Sequence, residues 1–385
     1  MIFFFILLFI LLAVIAIDFV PQCYTWQSRI HIGRYDTLDK WNLKIVDKSL
    51  EWLQKTPTIT LTDNKRLIII DILKGDYKRA AIQHWQEAAL LLGLDQAYRK
   101  TQDPTVKKNI DQYIARKIGS NGYWKEIPLE ADGVILAYAI INSEAVDHDA
   151  IKPSYDAIYN LILTLKGADG TVAYKKYSTN YRYVDTIGFI CPFLVSYGVK
   201  FQIEEAISLG LKQISEFNKH GMLQDKFVPC HAYVVDSKIP VGLFGWGRGL
   251  GWYAIGLIDS WTALSDSHPD KEMLTASVIS FAKMAISFQN ENGSWNWIVS
   301  VKESRSDSST TATLAWFLTN AATLKAITEE SLNAKTKALA YLMMVTRRDG
   351  AIDFSQGDTK GIGVHSQEFG ILPFAQGFAL RTTNY

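Results

Sequence analysis

The stretch LTASVISFAKMAISFQNENGSW, Leu274 to Trp295, holds the two features from which the fold is read. Leu274, Val278, Phe281, Ala285 and Phe288 recur at the spacing of a helix with one apolar face. Behind them stands Asn292-Gly293-Ser294-Trp295, where a glycine can turn the chain just ahead of an aromatic residue. Both features recur. Ile82, Trp85, Ala89 and Leu92 mark a second apolar face, and Leu332, Leu339, Leu342 and Met343 a third. Glycine beside Asn, Asp or His returns at Asn121-Gly122-Tyr123-Trp124, Asp169-Gly170, His220-Gly221-Met222 and Asp349-Gly350. The interval is roughly 50 to 70 residues, the size of a helical hairpin with its loops. Stacked helix pairs can form an open solenoid or a closed toroid. Six pairs would use most of the chain from about residue 40 onward, so the pattern predicts an all-α, (α/α)6 barrel. Alternating β-branched runs are short, as in Ala232 to Val235, and suit small hairpins on loops. The glycine-bearing loops on one rim are expected to carry the site, since loops held by a rigid scaffold usually do.

Composition narrows the function. The chain has 385 residues, 48% hydrophobic, enough for a substantial core in one large domain or two ordinary ones. Lys+Arg number 40 against 39 Asp+Glu, and this near-zero balance argues against a nucleic-acid partner. The three cysteines, Cys23, Cys191 and Cys230, provide neither a disulfide framework nor paired metal-ligand spacing. Cys191, ahead of Pro192 in an apolar stretch, reads as a small core residue. Eleven Trp and an aromatic share of 12% point instead toward a ligand that stacks on rings.

At the N-terminus, Ile2 to Ile17 form an unbroken apolar run ended by Asp18 and Pro21. The run is slightly short for a spanning helix, which needs about 20 apolar residues, and long for a signal-peptide core. Val14 and Ala16 suit a signal-peptidase site after Ala16, while Arg29 and Arg34 behind the run favour a cytoplasmic body. The expected organisation is a signal peptide or membrane anchor over 1–20, a linker over 21–40 and the barrel over 41–385. That makes it a cell-envelope protein of open sidedness, secreted or held by its N-terminal segment.

Three segments carry residues suited to chemistry: Ile127-Pro128-Leu129-Glu130-Ala131-Asp132-Gly133, Tyr183-Val184-Asp185-Thr186, and Gly245-Trp246-Gly247-Arg248-Gly249-Leu250-Gly251-Trp252. Asp132 and Asp185 each precede an apolar helical stretch, so each suits an N-cap. As a proton donor, Asp185 would need to be desolvated, with Tyr181, Tyr183 and Phe189 as candidates, or raised by a second carboxylate such as Asp132. The helix N-terminus would oppose this. In the glycine-rich segment two Trp rings flank one Arg. No GKS or GKT follows and no strand pattern precedes it, so phosphate-loop and dinucleotide readings are weak. Trp faces for a sugar and an Arg fork for a carboxylate describe a pocket for an acidic sugar, unless the tryptophans simply fill the core at a tight turn. His231 could donate to a substrate oxygen or satisfy a loop carbonyl, and His84 has the same ambiguity. HExxH, DDxxD and clustered His/Cys patterns are missing, so neither a metal nor another cofactor is expected.

On these residues the chain resembles the unsaturated glucuronyl and rhamnogalacturonyl hydrolases of glycoside hydrolase families 88 and 105, (α/α)6-barrel enzymes of bacterial polysaccharide breakdown. Asp132 opening a helix, Tyr183-Val184-Asp185-Thr186 before an apolar segment, and the WGRGLGW stretch carry the likeness. Ser308-Ser309-Thr310-Thr311-Ala312 and Gly370-Ile371-Leu372-Pro373-Phe374 add to it. The resemblance implies Asp185 as general acid/base, Asp132 as its partner carboxylate, and His231, Trp246, Arg248 and Trp252 as substrate contacts. It also implies removal of a 4,5-unsaturated uronic acid from lyase-generated acidic oligosaccharides, by hydration of an enol ether. Where the family has Asn within the glycine segment, this chain has Leu250. That departure leaves open a catalytically silent carbohydrate-binding or scaffold protein on the same toroid. An ordinary inverting glycosidase is a third reading.

Overall fold

The computed structural model describes residues 1–59, 62–75 and 83–385, and Ile82 of the second apolar face lies outside them. After a long N-terminal helix, α1 (Ile2–Arg29), helices alternate between an outer and an inner layer. Outer α2 (Leu38–Gln54) leads through a short α3 (Ile68–Lys74) to inner α4 (Gln83–Thr101). Then follow the outer–inner pairs α5 (Pro104–Lys117) and α6 (Val134–Ile141), α7 (Lys152–Leu165) and α8 (Val184–Phe201), and α9 (Glu204–His220) and α10 (Gly247–Ala263). The last pairs are α11 (Lys271–Ser287) with α12 (Ser308–Ala321) and α13 (Thr328–Met344) with α14 (Pro373–Thr383). Among the inner helices, α4 packs on α6, α6 on α8, α8 on α10, α10 on α12 and α12 on α14, and α14 returns to α4. The ring is closed: this is the (α/α)6 barrel.

Of the three apolar faces read from the sequence, two lie on the outer helices α11 and α13, and the third, with Trp85, Ala89 and Leu92, lies on inner α4. Outer helices bury one face, as α11 does with Leu274, Val278, Phe281 and Ala285. Inner helices are buried all round; every residue of Val134–Ile141 and of Ser308–Ala321 is inside, so no stripe stands out. On α13, Leu339 and Leu342 are buried but Leu332 is exposed, contrary to the sequence reading. Ser331, Ala334 and Ala338 form the inward face there, and Leu332 stands one residue off it.

Four of the five glycine turns share one geometry. Gly122, Gly170, Gly293 and Gly350 have φ between +76° and +90°, and each N–H donates to the carbonyl three residues back at 2.9 Å. Each lies in the loop just after an outer helix, at the turn that leads the chain toward the next inner helix. Gly221 differs, with φ of −103° at the C-terminal end of α9. Outer-to-inner connections are long, for example 221–246, whereas inner-to-outer ones are short, for example 202–203. The long loops and the N-terminal ends of the inner helices therefore share one rim.

Glycine also sets helix contact. A methyl on Gly377 of α14 would overlap the Ala89 carbonyl of α4, and one on Gly93 would overlap the Gly377 carbonyl. Between α8 and α10, a methyl on Gly188 would lie 2.6 Å from the Trp252 carbonyl oxygen.

Helix α1 is long and apolar enough to cross a membrane, with mean hydropathy 3.1 in its most apolar window and 6% of that window buried. Helix α8 meets the same test of length and composition, yet 72% of it is buried in the barrel. The polar end of α1 is docked. Buried Asp18 accepts the Leu67 and Ile68 N–H groups at 2.7 and 2.9 Å, and Arg29 reaches the Asp353 carboxylate at 2.7 and 3.0 Å. In the span read as a linker, the chain is helical through Arg29, and α2 begins at Leu38.

Gly377→Ala should destabilise the barrel by about 3 kcal/mol, because only backbone could yield to the added methyl. Urea unfolding followed by far-ultraviolet circular dichroism checks this; a midpoint equal to the parent's would mean the α4–α14 seam is not tight.

Candidate active site

On the rim described above opens a cavity of about 660 Å³, within the range of small-molecule sites. Its floor is aromatic. Trp85 in the first turn of α4 meets Trp252 of α10 edge-on at 5.5 Å, and Phe189 of α8 lies 4.5 Å from Trp252. Phe374, at the start of α14, supports both tryptophans from below at 5.1 and 4.7 Å. The closed ring thus supplies the floor.

A small sheet brings the chemistry together. Tyr181–Tyr183 pairs antiparallel with Ala232–Val234, Tyr183 opposite Ala232, and Pro240–Val241 completes three strands. One residue further, the Val184 N–H donates to the His231 carbonyl at 2.9 Å. This register sets His231 against Asp185 in the first turn of α8, with Nε2 and Oδ2 3.7 Å apart. The Trp246 ring covers His231 at 4.7 Å. Arg248, in the first turn of α10, sits between the Trp85 and Trp246 rings at 5.8 and 5.9 Å. Asp132 enters from a 3₁₀ turn, Ala131–Gly133, ahead of α6. All six residues selected from the sequence, Asp132, Asp185, His231, Trp246, Arg248 and Trp252, line this one cavity.

Several local expectations change. Neither aspartate is an N-cap, since Tyr183 and Gly133 take those positions. The glycine-rich segment is the start of α10 rather than a loop; only Gly245 has positive φ, and Gly247 and Gly251 give room to Thr310 and Thr313 of α12. Arg248 is not an open fork, because its guanidinium donates to the Gln356 carbonyl at 2.7 Å and to the Gly357 carbonyl. Leu250 is fully buried on α10 and does not line the cavity. Of the aromatics proposed to dry Asp185, Tyr183 and Phe189 reach the cavity and Tyr181 does not. His84, Ser308–Ala312 and the stretch from Gly370 to Phe374 lie outside the cavity lining.

Charge in the cavity differs from charge elsewhere. Buried Asp353 pairs with Arg29 and Arg347, Asp259 with Arg381, and Asp95 with Arg99, while Asp307 caps α12. Among the described residues, no cation forms an ion pair with Asp132 or Asp358, and Asp185 Oδ2 has no hydrogen-bond partner. Burial pushes the Asp185 carboxyl up to about 7, with Asp358 adding to the rise and its own backbone N–H and Arg248 opposing it. Burial, helped by Glu130 and opposed by Lys175, pushes Asp132 up to about 7. The acidic neighbour raising Asp185 is therefore Asp358, a residue the sequence did not single out. Burial and the nearby His365 pull His231 down to about 4, so its imidazole is neutral at pH 7. Lys175, paired with Glu130 at 2.8 Å, Tyr174 and Lys360 complete the polar wall. They lie in loops with no motif, and only their packing beside the aspartates marks them. Among the described residues, no three His, Cys, Asp or Glu side chains group as metal ligands. The arrangement can hold a ring against indole faces and offer it a carboxyl that is protonated near neutral pH.

Comparison with known proteins gives consistent findings. Residues 64–372 match the family model described as Glycosyl Hydrolase Family 88. The chain is 21% identical over 302 residues to the unsaturated rhamnogalacturonyl hydrolase YesR of Bacillus subtilis (strain 168), covering 75% of this chain and 84% of that one. Its fold is similar to that of a possible family 105 member from Salmonella enterica serovar Paratyphi A, with TM-score 0.76 and 15% identity over 91% of this chain and 94% of the other. An unsaturated glucuronyl hydrolase from Bacillus sp. GL1, responsible for degradation of glycosaminoglycan, superposes with TM-score 0.62 and 16% identity over 93% and 96% of the two chains.

The raised Asp185 carboxyl carries a stability cost whose sign can be worked out. Above pH 7 folded and unfolded chains both ionise it, and the folded one holds the charge in a largely buried position; as pH falls through 7 the folded carboxyl takes up its proton and the cost fades. Asp185→Asn should therefore stabilise the fold at pH 8 by about 1–2 kcal/mol, less at pH 5. Urea titrations at both pH values decide it, and a variant less stable than the parent at pH 8 would contradict the buried-charge reading.

Proposed function

Because this chain belongs to glycosyl hydrolase family 88, we propose that it removes a 4,5-unsaturated uronic acid from the non-reducing end of lyase-generated acidic oligosaccharides. The observation that carries this is the Asp185 carboxyl: largely buried, with Oδ2 free of any hydrogen-bond partner and the group raised to about 7 beside a Trp floor. An enol ether needs a proton delivered to carbon near neutral pH, and a carboxylic acid of ordinary acidity would already have lost it.

In this reading Asp185 protonates C4 of the unsaturated ring, leaving an oxocarbenium ion at C5. The Asp185 carboxylate then takes a proton from water as its oxygen adds to C5. The resulting hemiketal opens and releases the linked sugar, so the net change is addition of one water and Asp185 ends protonated, as it began. Asp132, on the same cavity, orients the water or holds a ring hydroxyl. Neutral His231 donates to a ring oxygen, while Trp85 and Trp252 stack on the sugar. Arg248, Lys175 and Lys360 offset the charge of the acidic ring. Every step uses groups the chain itself provides. The silent-protein alternative draws on the unusual N-terminus and on Leu250, which is buried on α10 away from the cavity lining.

We further propose that α1 attaches the protein to the cell envelope. Its exposed apolar length supports this reading, and the Asp18 and Arg29 contacts join it to the barrel.

Incubation with lyase-generated disaccharides should abolish the ultraviolet absorbance of the C=C bond, with kcat/KM falling as pH rises above about 7. Asp185→Asn should lower kcat by about a thousandfold or more while binding persists. Failure on pectic, heparin-like and chondroitin-like substrates alike would reject the reading. Cell fractionation tests the anchor: full-length chain should sediment with membranes at high salt, and recovery only in the soluble fraction would exclude a retained anchor.

A further inference from the structure

The hairpin between α13 and α14 brings a carboxyl into the cavity that neither motif nor periodicity indicates. Its base is clamped from several sides. The Arg248 guanidinium holds the carbonyls of Gln356 and Gly357, the Trp246 indole N–H donates to Gln356 Oε1 at 3.2 Å, and the Gln356 N–H donates to Asp307 at 2.9 Å. Ser355–Gln356 also pairs with Phe369–Gly370 as a short ladder. Asp358 is the next residue after this clamp, and it lines the cavity with Asp132 and Asp185. Trp246 and Arg248, at the start of α10 beside His231 and Asp185, thus help to fix where Asp358 stands.

We propose that Asp358 is a third carboxyl of this active site, a positioning residue that keeps the transferable proton on Asp185. This rests on Asp185 being the acid of the reaction above. The physical need comes from Arg248. The guanidinium that anchors the hairpin favours the ionised form of Asp185, and the Asp358 carboxyl on the same cavity wall acts in the opposite direction. The groups facing Asp185 are Arg248 from α10, Asp358 from the hairpin and neutral His231 from the sheet, with Asp132, Tyr174 and Lys175 on the remaining wall. Those acting on Asp358 are Arg248, Lys360, Lys175 and its neighbour's N–H at Thr359. None of the three cations forms an ion pair with it among the described residues.

The test needs no substrate. In the full-length chain carrying 13C-labelled aspartate carboxyls, the Asp185 resonance is assigned by its loss in Asp185→Asn. In Asp358→Asn its titration midpoint should fall by about 0.5–1 pH unit. Asp358→Ser should shift it the same way, and Asp358→Glu should bring it back toward the parent. In turnover the basic limb of kcat/KM should move to lower pH by the same amount, with KM at pH 5.5 unchanged. An unmoved Asp185 midpoint in both neutral variants overturns the proposal. So does a raised KM with the limb in place, which would make Asp358 a substrate contact. If the parent turns over none of the substrates, the hydrolase reading fails, while the carboxyl titration still decides whether Asp358 acts on Asp185.

Discussion

Closure of the inner ring depends on α14 lying directly against α4, backbone to backbone. Gly93 and Gly377 meet there with no room for a side-chain carbon on either, so the seam is set by the absence of atoms rather than by an attractive pair. Trp85 and Phe374 stand just above that seam, 5.1 Å apart, and Trp252 reaches across to both. The aromatic floor is consequently a product of closure. A solenoid built from the same hairpins would leave α4 and α14 apart and Trp85 without its partners.

Two kinds of buried charge coexist in the barrel. Away from the cavity, buried carboxylates are matched to cations or to N–H donors, as where Asp259 meets Arg381 at 2.7 Å and also accepts the Trp316 indole N–H at 2.8 Å. Such pairs keep a charge tolerable in a low dielectric. In the cavity Asp132, Asp185 and Asp358 lack that matching, and burial raises all three above the usual carboxylate range. Unmatched acids are costly to the fold, and such costs gather at functional sites. Imidazole follows the same logic in reverse, since burial leaves His231 and His365 neutral.

How much was legible can be traced residue by residue. The outer helices announce themselves because solvent on one side and core on the other force a 3.6-residue stripe, as in α11. The turns are readable because Gly122, Gly170, Gly293 and Gly350 adopt a left-handed conformation that other residues avoid. Inner helices such as α12 show no stripe, being buried on every side, and their glycines look like a loop in the sequence when they are contact points between helices. Asp132 and Asp185 could be picked out because each stands at the start of an apolar helix on the loop-bearing rim. Asp358 could not, since its neighbours Gly357 and Thr359 suggest only a turn. Its place depends on two carbonyls held by an arginine more than a hundred positions earlier in the chain.

Sequence alone determined the class of the molecule. Local periodicity and glycine placement encode helical hairpins, and their repetition encodes a toroid, because these signals are carried by neighbours along the chain. It also determined which residue types were available for chemistry. Only the tertiary structure decided that His231 faces Asp185, through a strand register that pairs Tyr183 with Ala232. It also decided that Arg248 holds a hairpin, that Leu250 belongs to the core, and that three carboxyls share one cavity. Distances across a closed ring and the burial of groups inside it are collective quantities, and no short stretch of chain contains them.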